Sequence, residues 1–171
     1  MSEGKHCEIE LKYLIRYPDA ALLQAQPGCE VWQIVQTYLK DGEGGQTRRV
    51  RRIAVDGRVE YYRTFKRHLS ALSSEEDEGR IDEAAYERYL LERDGSRAPV
   101  RKTRYRVPFR GHVLEFDVYP FWKDRAIMEI ELEREDEVPQ IPDYVGIIRD
   151  VTGEKAYKNR QLAKRVPMEE I

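Results

Sequence analysis

Charged and apolar residues alternate with a period of two in several separate segments of this chain, beginning with Glu8-Ile9-Glu10-Leu11-Lys12. An extended strand sends successive side chains to opposite faces, so Glu8, Glu10 and Lys12 share one face while Ile9 and Leu11 share the other. Neighbouring carboxylates repel unless a cation lies between them. The two acids therefore ask for a divalent metal, and the amine two residues on asks for an anion.

The same alternation recurs on either side of two turns. Asp56-Gly57 separates Thr47 to Val55 from Arg58 to Lys66, and this dipeptide suits a tight hairpin because both turn positions need positive φ. With Val55 opposite Arg58, Arg51 faces Tyr62, Arg49 faces Thr64 and Thr47 faces Lys66. Directly opposed residues lie on one face, which gathers Arg49, Arg51 and Lys66. Arg110-Gly111 joins Val100 to Phe109 with His112 to Tyr119 in the same way. That register sets Arg106 against Glu115 and Arg104 against Asp117, so Lys102, Arg104, Glu115 and Asp117 form one face and Leu114, Phe116 and Val118 the other.

Between these landmarks, Asp19 opens a short helix to about Gln24, and Val31 to Leu39 reads as a strand. Leu69 to Ile81 is a polar stretch containing Glu76-Asp77-Glu78. Asp82 caps a helix to about Arg93 whose apolar face is Ile81, Ala85, Tyr89 and Leu90. Ala126 to Glu133 alternates again, with Glu129, Glu131 and Glu133 opposite Met128, Ile130 and Leu132. Helices are expected after Pro142-Asp143 and over Tyr157 to Arg165. Strands with few helices, mostly antiparallel, give either an α+β domain or a closed barrel with helices outside, and alternation alone does not say which face points inward.

At 171 residues the expectation is a single domain spanning 1–171. Charged residues make up 36% of the chain, more than a surface alone needs, which places some of them in a cleft or interior. Thirty basic and thirty-two acidic residues nearly cancel, disfavouring a generally basic nucleic-acid binder while leaving room for a basic pocket. No signal-peptide pattern or membrane-length apolar run is present, so a cytoplasmic protein without a membrane partner is expected. Cys7 and Cys29 lack metal-site spacing and read as ordinary thiols.

A basic face binds phosphoryl oxygens, and a nearby acidic face becomes useful when it holds Mg²⁺ or Mn²⁺ against them. Any one charged strand is more often a solvated face; dense charge on several strands weighs against that reading. Glu8-Ile9-Glu10-Leu11-Lys12 resembles the ExExK signature of the CYTH superfamily, the triphosphate tunnel metalloenzymes. Arg49-Val50-Arg51, Thr64-Phe65-Lys66, Glu76-Asp77-Glu78, Lys102-Thr103-Arg104-Tyr105, Glu115-Phe116-Asp117 and Glu129-Ile130-Glu131 resemble its later motifs in order. Val151 to Asn159 resembles the terminal segment of bacterial members.

The resemblance implies an α+β fold built on an eight-stranded antiparallel β-barrel, the triphosphate tunnel, with helices packed outside. It implies metal ligation by Glu8, Glu10, Asp117, Glu129 and Glu131, with Glu133 a further acid, and triphosphate binding by Lys12, Arg49, Arg51, Lys66, Lys102, Arg104 and Lys155. Catalytic roles fall to Lys12, Glu76 and Glu78, the two acids holding a second metal or orienting water. The leading expectation is hydrolysis of tripolyphosphate to pyrophosphate and phosphate with Mg²⁺ or Mn²⁺, by a chain able to form a homodimer. Class IV adenylate cyclase, thiamine or nucleoside triphosphatase, and a polyphosphate-binding module without turnover are the alternatives. Tyr38, Trp32 and Trp122 are expected as packed or rim aromatics, and His6, His68 and His112 carry no catalytic role.

Overall fold

The computed structural model describes residues 4–70 and 72–171, and among these it forms one continuous antiparallel sheet that closes on itself. The first hairpin is β3 (Thr47–Val55) and β4 (Arg58–His68), in the register expected from its turn: Arg51 opposite Tyr62 and Thr47 opposite Lys66. Its turn residues Asp56 and Gly57 sit at φ 50° and 73°, the mirror-image geometry that matches strand twist. β6 (Val100–Phe109) and β7 (His112–Val118) form the second hairpin, with Arg104 opposite Asp117 as expected. Arg110 takes φ 47° there, with Gly111 following at 85°.

The remaining strands are β1 (Gly4–Arg16), β2 (Glu30–Tyr38), β5 (Ser73–Ile81), β8 (Arg125–Leu132) and β9 (Ile147–Asp150). Neighbours run β5-β4-β3-β2-β6-β7-β8-β1, and β1 returns to β5 to complete an eight-stranded barrel. Closure pairs the two outermost strands of that order with each other over part of their length, which protects those edges. β1 pairs with β8 through residues 9–16, but its opposite edge meets β5 only through residues 4–9. Beyond that point β9 takes the edge, pairing with Tyr13, Leu14 and Ile15.

Apolar strand faces point outward over much of the wall. Ile15, Val107, Leu114, Phe116, Met128 and Ile130 are buried there beneath Leu23 of α1 (Ala20–Gln24). On the far side α2 (Glu83–Leu90) covers Val50 and Leu39. One end of the barrel interior is plugged by Leu14, Tyr38, Tyr119, Trp122 and Ile127 packed on Val151, Tyr157 and Leu162 from the carboxyl-terminal segment. Trp32, Ile34, Ile53, Val55 and Tyr62, on the same strand faces as Arg49 and Arg51, form a second apolar cluster inside, and much of the interior between the two is charged.

Three expectations are corrected. Pro142-Asp143 begins a turn, closed by the Val145 N–H donating to the Pro142 carbonyl, and leads to β9 rather than a helix. The free edge of β1 recruits this segment, and Gly146 permits it: a Cβ there would lie 3.2 Å from Arg16 Cβ. α2 stops at Leu90, because the chain beyond it donates and accepts backbone bonds with Tyr38 and Lys40. Its buried residue is Tyr86, 4.8 Å from the Tyr61 ring, which the expected apolar face omitted. The segment after β9 is a short 3-10 turn, Lys155–Tyr157, and the one-turn α3 (Asn159–Leu162), not one helix.

Candidate active site

The inward faces enclose a cavity of about 400 Å³ lined from β1 by Glu8, Glu10 and Lys12, from β3 by Arg49 and Arg51, and from β4 by Lys66. Glu76 and Glu78 of β5, Lys102 and Arg104 of β6, and Glu129 and Glu131 of β8 complete the charged ring. Lys155 enters from the carboxyl-terminal segment. Hairpin register brings these together, because residues two apart on each strand fall on the same wall.

Acids and bases interleave. Lys66 Nζ lies 2.7 Å from Glu8 and 3.9 Å from Glu76, and Arg51 lies 2.6 Å from Glu78. Lys12 Nζ is 3.4 Å from Glu129 and 4.0 Å from Glu10. Asp117 stands apart from the other expected ligands: it is fully buried behind the lining, accepting 2.8 Å from Lys102 and 2.7 and 2.9 Å from Arg104. The geometry makes Asp117 a brace for two cations. Glu131 lies at the exposed end of the ring, opposite Glu10 in the ladder.

Two carboxyls are not balanced by their surroundings. Burial raises Glu10 to about 8, and the charges of Glu129 and Glu8 add to that. Burial likewise lifts Glu76 to about 9 against the pull of Arg49, with Glu8 pushing the same way as burial. Glu8 feels the same burial, but Lys66, a hydrogen bond with Glu76 and the charge of Arg49 together outweigh it and hold the group at about 2. Lys102 is pulled down to about 8 by burial, which its Asp117 partner only partly offsets.

Crowded, partly protonated carboxyls facing one another have the hard oxygen donors that a divalent cation takes. Among the described residues, however, no three such side chains converge as a finished cage. That fits an ion held by one or two carboxylates and completed by water and phosphate oxygens, the usual habit of Mg²⁺.

Sequence reasoning left several lining residues unassigned. Arg106 and Glu115 pair at 3.0 Å and extend the β6–β7 charge ladder by one step, a signal present in the alternation itself. Tyr38 lines the cavity and its hydroxyl accepts from Gln36 at 2.7 Å. Lys158 also lines it, from a segment with no periodicity to announce it. Trp32 borders the cavity, but the Arg106 guanidinium lies over its ring at 4.6 Å. Trp122 belongs to the packed end, donating to the Pro167 carbonyl. His68 reaches the lining, lowered to about 4 by burial and by Lys158, whereas His112 pairs with Glu137 outside the cavity lining. The His6 side chain lies outside the described residues.

A closed antiparallel barrel with interleaved acids and bases around an inner cavity defines a charged tunnel. No family model matches the chain. A protein of Nitrosomonas europaea named inorganic triphosphatase is 32% identical over 166 residues, covering 94% of this chain and 99% of that protein. The crystal structure of an inorganic triphosphatase matches 94% of this chain and 97% of its own, with 28% identity and a TM-score of 0.55. A Pyrococcus horikoshii protein at 21% identity, covering 75% of this chain and 80% of its own with a TM-score of 0.56, shares the fold. The chain belongs to the CYTH superfamily, the triphosphate tunnel metalloenzymes. Among the described residues no helix is long and apolar enough to cross a membrane.

Proposed function

We propose that the chain hydrolyses inorganic triphosphate, releasing pyrophosphate and phosphate, with Mg²⁺ or Mn²⁺ as cofactor. The observation that carries this reading is the cavity wall itself: six strand-borne cations, Lys12, Arg49, Arg51, Lys66, Lys102 and Arg104, around a space of about 400 Å³. The named activity of the Nitrosomonas europaea relative supports it. Arg106 lies over one face of the Trp32 ring, which is 8% exposed, so little of that ring is left as a platform for a base or thiazole, and this favours a substrate without an organic group.

The cations fix the chain of phosphates through charge-assisted hydrogen bonds and hold the terminal phosphorus in line with an attacking water. Water oxygen bonds to that phosphorus, the bond to the bridging oxygen breaks, and pyrophosphate leaves. Lys12, Glu76 and Glu78 are the groups we assign to placing the water, and of the three the ionised Glu78 carboxylate, raised by burial but held below the ordinary range by Arg51, is the one free to receive its proton. Asp117 keeps Lys102 and Arg104 aimed by occupying their inner donors. A divalent ion, held by one or two of Glu8, Glu10, Glu129 and Glu131, would neutralise phosphate charge as it shifts in the transition state.

Purified protein with Mg²⁺ or Mn²⁺ would be offered tripolyphosphate, ATP and thiamine triphosphate, with phosphate, pyrophosphate and cyclic AMP measured. Preferential turnover of tripolyphosphate is expected. Preferential cyclic AMP formation, or tight binding without turnover of any of the three, would overturn the reading.

A further inference from the structure

Inorganic and organic triphosphates carry the same row of phosphoryl groups and differ in what is esterified to one end. Discrimination between them falls beyond the last phosphate-binding cation, where that end emerges. On the inward face of β6 the residue after Arg104 is Arg106, and it belongs to a ladder of charge leading outward. Arg104 lies 3.3 Å from Glu115, Glu115 lies 3.0 Å from Arg106, and Arg106 lies 3.0 Å from Glu30. Their side chains are 8%, 18%, 28% and 45% exposed in that order, so the ladder runs from the cavity interior to its rim.

Trp32 stands beside that rim. Register places it opposite Arg104, one inward step before the Glu30–Arg106 pair. It borders the cavity at 8% exposure, packed in the apolar cluster with Ile34, Ile53, Val55 and Tyr62. An indole so placed is what a flat ring would stack on, and a cationic ring such as the thiazole of thiamine would gain a further attraction to its face. The Arg106 guanidinium has that place: its central carbon lies 4.6 Å from the centre of the Trp32 ring.

Two carboxylates hold it there. Arg106 Nε donates to Glu115 and Nη1 donates to Glu30, each at 3.0 Å, from the strands on either side of β6. Guanidinium donors point outward in the plane of the group, so both bonds leave its flat face free to lie on the indole. Lifting the cover breaks both. Its charge also opposes a cationic ring while attracting phosphoryl oxygens. The cover thus works against an organic end group and not against a bare phosphate.

We propose that Arg106 is a specificity-determining residue: by covering the Trp32 ring at the rim of the tunnel it excludes the ring of an organic triphosphate while leaving inorganic triphosphate to bind. The inference rests on the triphosphatase reading and assigns its substrate preference to one side chain.

Arg106→Ala, compared with wild type for hydrolysis of tripolyphosphate, ATP and thiamine triphosphate with Mg²⁺, tests this, with melting temperature measured alongside. Uncovering one stacking face predicts kcat/KM for ATP and thiamine triphosphate raised by about 10-fold or more over wild type. Arg106→Lys should give a smaller gain, because an ammonium on a flexible stem does not lie flat on the indole, and it carries the test if Arg106→Ala does not fold. Combining Arg106→Ala with Trp32→Leu should remove the gain, since the stacking surface is gone. Unchanged kcat/KM for both organic substrates in a folded single variant would overturn the assignment, and so would a gain that survives in the folded double variant. Wild-type protein that does not hydrolyse tripolyphosphate would instead remove the triphosphatase reading beneath it.

Discussion

Replacing Asp117 by alanine should be among the most destabilising single changes on the inner wall of this barrel. Its carboxylate is 0% exposed and accepts three hydrogen bonds, one from Lys102 at 2.8 Å and two from Arg104 at 2.7 and 2.9 Å. Both partners are themselves buried. Removing the acid leaves two cations without their main counter-charge, and breaking a buried pair from one side costs about 3–5 kcal/mol. Glu129 and Glu115, 3.5 and 3.3 Å from Arg104, recover part of that for the arginine, while Lys102 has no second acid so placed among the described residues. The lower end, about 3 kcal/mol, is therefore expected, a fall in melting temperature of about 6–12 °C for a chain of this size. Circular dichroism melts at pH 7 measure it. Burial raises Asp117, but Arg104 and Lys102 outweigh this and hold it below the ordinary carboxylate range. Its contribution is thus present above the unfolded-state pKa and is lost as pH falls through the folded one, so the two proteins should converge in acid. A variant within about 1 kcal/mol of wild type at pH 7 would refute the reasoning, since that is the range of an exposed pair.

Without divalent metal, Glu10 and Glu76 hold protons in the folded state up to about 8 and 9. His68 and Lys102, lowered to about 4 and 8, work the other way, but the two carboxyls still leave the folded state binding more protons than the unfolded one between roughly pH 4.5 and 8, so melts in chelator should show stability declining across that window. Millimolar Mg²⁺ should flatten the decline, and a pH-independent melting temperature in chelator would contradict the account. Tyr119→Phe removes the donor to buried Asn159 and should cost about 1–3 kcal/mol, seen as a lower melting temperature. It should also raise KM for tripolyphosphate by loosening the segment that carries Lys158; unchanged stability and KM would separate that segment from the site.

How far the sequence reached depended on which residues carried local information. Both hairpins were legible to the residue, because turn geometry fixes register and register fixes which cations share a face. Which face points inward was not, since alternation is symmetric between the two; here closure of the barrel and the outer cover from α1 and α2 decide it. β5 gave no pattern of its own, as Glu75 and Asp77 are charged on the outer face while Glu76 and Glu78 are charged on the inner one. β9 is four residues long and forms because β5 vacates the edge of β1, a tertiary fact with no local signature. Asp117 stood among the metal ligands through the family resemblance, and its hydrogen bonds from Lys102 and Arg104 behind the cavity lining depend on packing that the strand pattern does not show.

The inward-facing acids and bases matter to function only if they act together on a triphosphate. Phosphorus NMR of tripolyphosphate incubated with the protein follows substrate and both products at once. With Mg²⁺, the substrate resonances should give way to pyrophosphate and phosphate in equal amounts, and Glu10→Ala, melting like wild type or higher, should leave the spectrum unchanged over the same period. An unchanged spectrum with wild-type protein, or equal rates for Glu10→Ala, would contradict the account.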